Sequence, residues 1–193
     1  KTQERPLADV TALVERCRAG DDLAWEALVR RYQSRVYAVA LHYLKSREEA
    51  QDAAQDVFVR IYRNLASFDN EEENFLPWIL STTRNACIDR LRRKKVRPSV
   101  PAVSAGEGQE SPDPRPTAEE ALIAEGQRHL VHRAIAQLSD VHREMILLKE
   151  IQGLDLRQIS LMLAVPVGTV KSRSLRARIA LARTVLTLDP SYG

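Results

Sequence analysis

The chain has 193 residues, 44% of them apolar and 28% charged, which is enough for one large core or two small ones and excludes fibrous and short disulfide-stapled classes. Aromatic residues make up 5% and there are seven glycines, a composition that points away from β structure and toward helix. The longest apolar run, Val36 to Leu41, is far short of the roughly 20 residues of a membrane span, and Lys1 to Arg18 has no apolar signal core, so a soluble cytoplasmic protein without membrane insertion is expected.

Taken in order, the N-terminal part first shows Leu28, Tyr32, Val36, Val39 and Tyr43 at helical spacing after Asp21 and Asp22, which can cap the start. Ser46 to Glu49 has the form of a capping box, and the helix it opens carries Ala50, Ala54, Val57, Ile61 and Leu65 on one stripe. A polar turn, Asp69 to Asn74, then leads to a third helix expected over about Leu76 to Lys95. On it Leu80, Cys87, Ile88 and Leu91 fall together, with Thr82, Asn85, Asp89, Arg92 and Arg93 opposite. Cys17 and Cys87 lack any C-x-x-C spacing and read as small buried hydrophobes.

Pro98 to Thr117 holds five of the nine prolines and almost no large apolar residue, so it reads as a flexible linker. The expected organisation is therefore a helical domain over 1–97, a linker over 98–117 and a second helical domain over 118–193. In the second domain Ile123, Leu130, Ala134 and Leu138 are periodic, and a further helix from about Asp140 to Ile151 stops at Gly153. Asp155 to Gln158 looks like another capping box, opening a helix with Leu156, Ile159 and Leu163 inward. The turn Ala164-Val165-Pro166 leads to a last, basic helix. Two short helices joined by a tight turn, the second basic, form the helix-turn-helix pattern, with a simple helical hairpin as the plainer reading. The fold expected is all-α: two small helical domains, the second a helix-turn-helix.

Net charge is only +3, but it is unevenly placed: Arg84 to Arg97 holds seven Lys or Arg against Asp89 alone, and Lys171 to Arg183 holds five with no acid. Two separate basic elements fit a nucleic-acid binder with two contact points, while a solvated basic face on each helix is the alternative. On the last helix Val170, Ala177 and Leu181 share one side and Ser172, Arg176 and Arg183 the other, with Lys171 and Arg178 flanking. Thr169 and the backbone amides near Val167 and Gly168 could receive a phosphate at the helix start. Phe68, Phe75 and Trp78 lie beside the first basic helix, as stacking aromatics would, although core packing is the plainer account of Trp78.

Three stretches, Asp52 to Tyr62, Phe75 to Ile79 with Asn85 and Asp89 to Arg93, and Val165 to Arg173, together resemble the extracytoplasmic-function group of bacterial sigma factors. The resemblance implies two helical domains, the first binding core RNA polymerase and opening the minus-10 promoter element, the second reading the minus-35 element. It places Asp52, Gln55 and Asp56 against the beta-prime clamp of the core enzyme, and it implies the beta flap as a further polymerase contact. It places the minus-10 contacts on the loop from Asp69 to Phe75, including Asn70 and Phe75, and on Trp78, Asn85, Asp89, Arg92 and Arg93. The minus-35 contacts would be Thr169, Lys171, Ser172, Arg173 and Arg176, with Arg178 beside them. The family usually has an apolar residue followed by a serine where this chain has Ser174 and Leu175. The helical wheel turns Ser174 toward the domain and Leu175 outward, adding Leu175 to the minus-35 set. The resemblance also implies an anti-sigma partner, a role in stress response, and no cofactor.

Enzyme readings are poorly supported. Asp52 and Asp56 share a helix face, but no Glu-x-x-His partner accompanies them, and His129 and His132 lack a third metal ligand. There is no glycine-rich phosphate loop and no nucleophile elbow. A stand-alone helix-turn-helix regulator is the competing binding reading, and it gives no reason for Asp52 to Tyr62.

Overall fold

A computed structural model describes residues 10–68, 72–96 and 118–192. Helices supply nearly all of the described structure, no strand occurs among the described residues, and the chain divides into two compact units between Gly106 and Glu107. Asn70 and the segment Pro98 to Thr117 lie outside the described residues.

The first unit is built from α1 (Val10–Arg18), α2 (Asp22–Leu44), α3 (Arg47–Asn64) and α4 (Glu72–Val96), with a 3-10 turn at Leu65–Ser67. Asp21 caps α2 from an extended conformation, its carboxylate accepting the Leu23 and Ala24 amides at 3.0 and 3.1 Å. Arg16 donates to the second oxygen at 2.7 Å, and this contact leads the effects that hold the Asp21 pKa below its ordinary value. Ser46 starts α3 by accepting the Glu49 amide. The Glu49 carboxylate does not complete the expected box, because it receives Lys94 Nζ from α4 at 2.6 Å. Helices α2, α3 and α4 converge on fully buried Leu28, Val36, Val39, Val57, Ile61, Ile79 and Leu80. Small side chains at Ala40, Ala50, Ala53 and Cys87 bring their backbones close. Both cysteines are buried, and burial pushes the Cys87 thiol up to about 11.

α4 begins four residues before the expected start, so Pro77 lies inside it. Proline is best tolerated in the first turn of a helix, and the earlier start sets Pro77 just past it. Ile88, expected inward, is 37% exposed, at the margin of the apolar stripe that Leu80 and Cys87 occupy. Buried Thr83 satisfies its hydroxyl by donating to Ile79 O at 2.8 Å.

The second unit contains α5 (Ala118–Gln137), α6 (Asp140–Met145), α7 (Leu156–Leu163) and α8 (Val167–Leu188). Arg143 fixes the α5–α6 corner by donating to the carbonyls of Ile135, Ala136 and Leu138. The single helix expected from Asp140 to Ile151 instead changes at Ile146 to a π-helical segment, Ile146–Ile151, and Gly153 follows at φ +74°. Asp155 and Gln158 form both halves of the capping box that opens α7, which buries Ile159 and Met162 while Leu156 and Leu163 are half-buried. α7 ends at Ala164 in the left-handed region, and Ser160 brackets the turn: its carbonyl accepts the Val165 amide and its hydroxyl donates to Val165 O at 2.6 Å. That turn, with Pro166 after it, launches α8.

Candidate nucleic-acid interface

α8 is anchored by Val170 and Ala177, both fully buried, and by Ser174, which is 6% exposed. Leu175, the next residue, is 60% exposed. The inversion read from the helical wheel is therefore present: a serine is turned into the domain and a leucine out of it. Lys171, Ser172 and Arg176 are exposed around Leu175, while Thr169 and Arg173 are half-buried. Ser172 Oγ donates to Thr169 O at 3.0 Å, so its proton is committed within the helix while its oxygen can still accept.

Two groups of α8 are engaged within the unit. Arg178 is held within the unit, donating from Nε to Glu150 Oε1 at 2.7 Å. It lies two residues beyond Arg176, about 200° around the helix, and this rotation carries it toward the π-helical segment. The Thr169 amide is also engaged, donating to Pro166 O at 2.9 Å, and the earlier amides of Val167 and Gly168 stand before it at the helix start.

In the first unit, Trp78, Thr82, Asn85, Asp89 and Arg92 fall on one stripe of α4, with Arg93 beside it. Asn85, Arg92 and Arg93 are exposed; Trp78 and Asp89 are half-buried. Asp89 accepts from Arg92 one turn on, at 3.5 Å. Phe75, expected to touch DNA, is fully buried. Its ring meets Tyr32 at 5.4 Å, Phe68 at 5.0 Å and Trp78 at 5.8 Å, so it forms the floor under the aromatic pair Phe68 and Trp78. That pair is tilted by 38° with centroids 5.0 Å apart.

On α3, Asp52, Gln55 and Asp56 are all exposed. Asp56 is also paired, because Arg90 of α4 donates to its carboxylate and simultaneously to Glu49 O at 3.3 Å. Val59 and Tyr62, 49% and 55% exposed, continue the same helix side. His129 and His132 are exposed on α5. Among the described residues no helix is long and apolar enough to cross a membrane.

The family model for sigma-70 region 2 matches residues 28–97, and that for sigma-70 region 4 matches residues 128–181. The RNA polymerase sigma-H factor of Pseudomonas aeruginosa is 32% identical over 181 residues, covering 91% of this chain and 93% of that protein. The sigma factor SigW of Bacillus subtilis is 32% identical, covering 91% and 96%. The chain belongs to the extracytoplasmic-function sigma factors. The sigma-E factor of Escherichia coli is similar to the same extent, at 33% identity over 91% of this chain and 94% of its own length. Among solved structures, RpoE of Bartonella quintana superposes with a TM-score of 0.62 at 20% identity over 85% of this chain and 97% of that one, and CnrH with 0.59 at 22% over 93% and 97%. As a sigma factor, the chain binds core RNA polymerase and directs transcription initiation at promoters carrying minus-10 and minus-35 elements. Region 2 coincides with the α2–α4 assembly, and region 4 contains the helix-turn-helix of α7 and α8.

Proposed function

We propose that the two exposed stripes divide the promoter between them. The observation that carries this reading is α8: it leaves the helix-turn-helix with Val170, Ser174 and Ala177 buried, and turns Lys171, Ser172, Leu175 and Arg176 outward. An apolar stripe holds such a helix on its domain, and its outer side chains then enter the major groove. Arg176 presents a fork suited to guanine, Lys171 a point charge suited to phosphate, and Leu175 an apolar tip suited to a thymine methyl group. Thr169, Ser172 and Arg173 line the start of the same helix.

In the first unit, Trp78 backed by Phe75 offers a face for an unpaired base of the minus-10 element, and Asn85, Asp89, Arg92 and Arg93 follow the strand along α4. Asp52, Gln55 and Asp56 face the polymerase. The chain performs no chemistry of its own, needs no cofactor and acts in the cytoplasm, where the polymerase performs the reaction. An anti-sigma factor is a fitting regulator, since the Bartonella quintana structure is a complex with the anti-sigma factor NepR and the CnrH structure a complex with the cytosolic domain of CnrY.

Run-off transcription with core polymerase on a promoter library tests this reading. Core-dependent initiation confined to promoters with matched minus-10 and minus-35 elements is expected. Footprinting of promoter DNA by the chain alone, with no transcription on adding core enzyme, would instead identify a stand-alone regulator.

A further inference from the structure

α1 (Val10–Arg18) precedes the region 2 match, which starts at residue 28, yet it is built into the unit through buried Val10, Leu13, Val14 and Cys17. Its last turn carries two arginines with different tasks. Arg16 reaches forward to Asp21 and the start of α2. Arg18 reaches across the unit, donating from Nε to Leu65 O at 3.0 Å and from Nη2 to Phe68 O. These carbonyls sit at the end of α3 and its 3-10 turn, where the helix dipole favours a cation. The Phe68 backbone held in this way carries the ring that tilts against Trp78 and meets Phe75 edge-on.

We propose that Arg18 is a positioning residue for minus-10 recognition: by gripping two carbonyls at once it sets where the Phe68–Trp78 pair presents its face to an unpaired base. The inference rests on the reading that this aromatic end of α4 meets the minus-10 strand. A planar guanidinium suits the task because its donors leave in fixed directions from one rigid group, whereas an ammonium is a single point on a flexible stem. The grip spans 47 and 50 residues of sequence, so it couples the N-terminal helix to the site without touching DNA.

The test uses holoenzyme assembled from core polymerase and the full chain, on promoter DNA with a fluorescent purine analogue in the non-template strand of the minus-10 element. Arg18→Met keeps most of the aliphatic stem and removes the donors. It is expected to reduce the opening signal about tenfold and to flatten discrimination on a minus-10 base panel, with core affinity, minus-35 discrimination and Tm close to those of the parent. Arg18→Lys, which can reach one carbonyl, should restore part of both effects. Unchanged opening and discrimination in Arg18→Met would overturn the proposal. So would a loss matched by an equal loss of core affinity and not recovered by Arg18→Lys, which marks a merely structural cap. Trp78→Ala separates the two levels. If it flattens the panel while Arg18→Met does not, only the role of Arg18 falls; if it leaves discrimination intact, the reading of the aromatic end falls as well.

Discussion

Asp56 has two claims on it, and the structure allows them to be separated. Its carboxylate is 59% exposed, as a polymerase contact requires, yet it also accepts from Arg90, whose side chain is 31% exposed. For so exposed a pair the intramolecular contribution is about 0.2–1 kcal/mol, and after Asp56→Ala Arg90 keeps its bond to Glu49 O. At about 4–8 °C per kcal/mol for a unit of this size, the shift in Tm should be only a few degrees. A charged residue at the centre of an interface is worth more, about 1–3 kcal/mol, or roughly 5- to 150-fold in Kd. The assay is a titration of labelled chain with core polymerase, run beside a thermal melt, for Asp56→Ala, Arg90→Ala and the double variant. Asp56→Ala should lose affinity well beyond its loss of stability, Arg90→Ala should keep affinity close to the parent, and the double variant should match Asp56→Ala. Equal affinity losses in the two single variants would show that Asp56 serves α4 and not the polymerase, and the assignment of this helix face would fail.

Leu175→Ser should relax preference at one base pair of the minus-35 element, measured on a base-substitution panel, and leave other positions unchanged; a uniform loss would reject the methyl contact. Arg176→Ala should cost about 1–3 kcal/mol and blur specificity at a guanine, whereas Lys171→Ala should weaken all promoters alike, so matching profiles on that panel would contradict the division of roles. Asp21 has a folded pKa held below its ordinary 3.8, so its cap contributes stability above about that pH, and the contribution disappears as pH falls through the lower folded value. In acid titrations followed by circular dichroism, Asp21→Asn should remove that limb and lower Tm at neutral pH by less than it would if no side chain remained to cap α2.

Local chemistry was legible in the sequence wherever a cap or a period expresses it. Asp21, Asp155 with Gln158, and Gly153 mark ends the structure keeps, and the wheel placed Ser174 in and Leu175 out because one residue turns the helix about 100°. What was not legible depends on partners distant in sequence. Glu49 looked like half of a capping box but is occupied by Lys94, 45 residues away. Phe75 and Trp78 are both aromatic and near one another in sequence, and only the approach of Tyr32 from α2 decides that the first is floor and the second a half-open face. The π-helical segment has no compositional mark, since its residues would serve an α-helix equally well.

The same distinction governs how many positive charges reach DNA. Lys171 to Arg183 shows five basic residues in sequence, but Arg178 is neutralised by Glu150 at 2.7 Å, across the edge of α8. A cation already paired releases few counterions when DNA arrives, so it adds little to the salt dependence of binding, whereas each phosphate newly neutralised contributes about 0.9 to the slope of log K against log salt. Promoter binding by holoenzyme, followed by fluorescence anisotropy across a salt series, should therefore lose about one unit of slope in Lys171→Ala. Arg178→Ala should leave the slope where it is, and should show instead a small loss of thermal stability because Glu150 loses its partner. If Arg178→Ala lowers the slope as much as Lys171→Ala does, the pair with Glu150 opens on DNA, and Arg178 acts as a minus-35 contact in spite of that pairing.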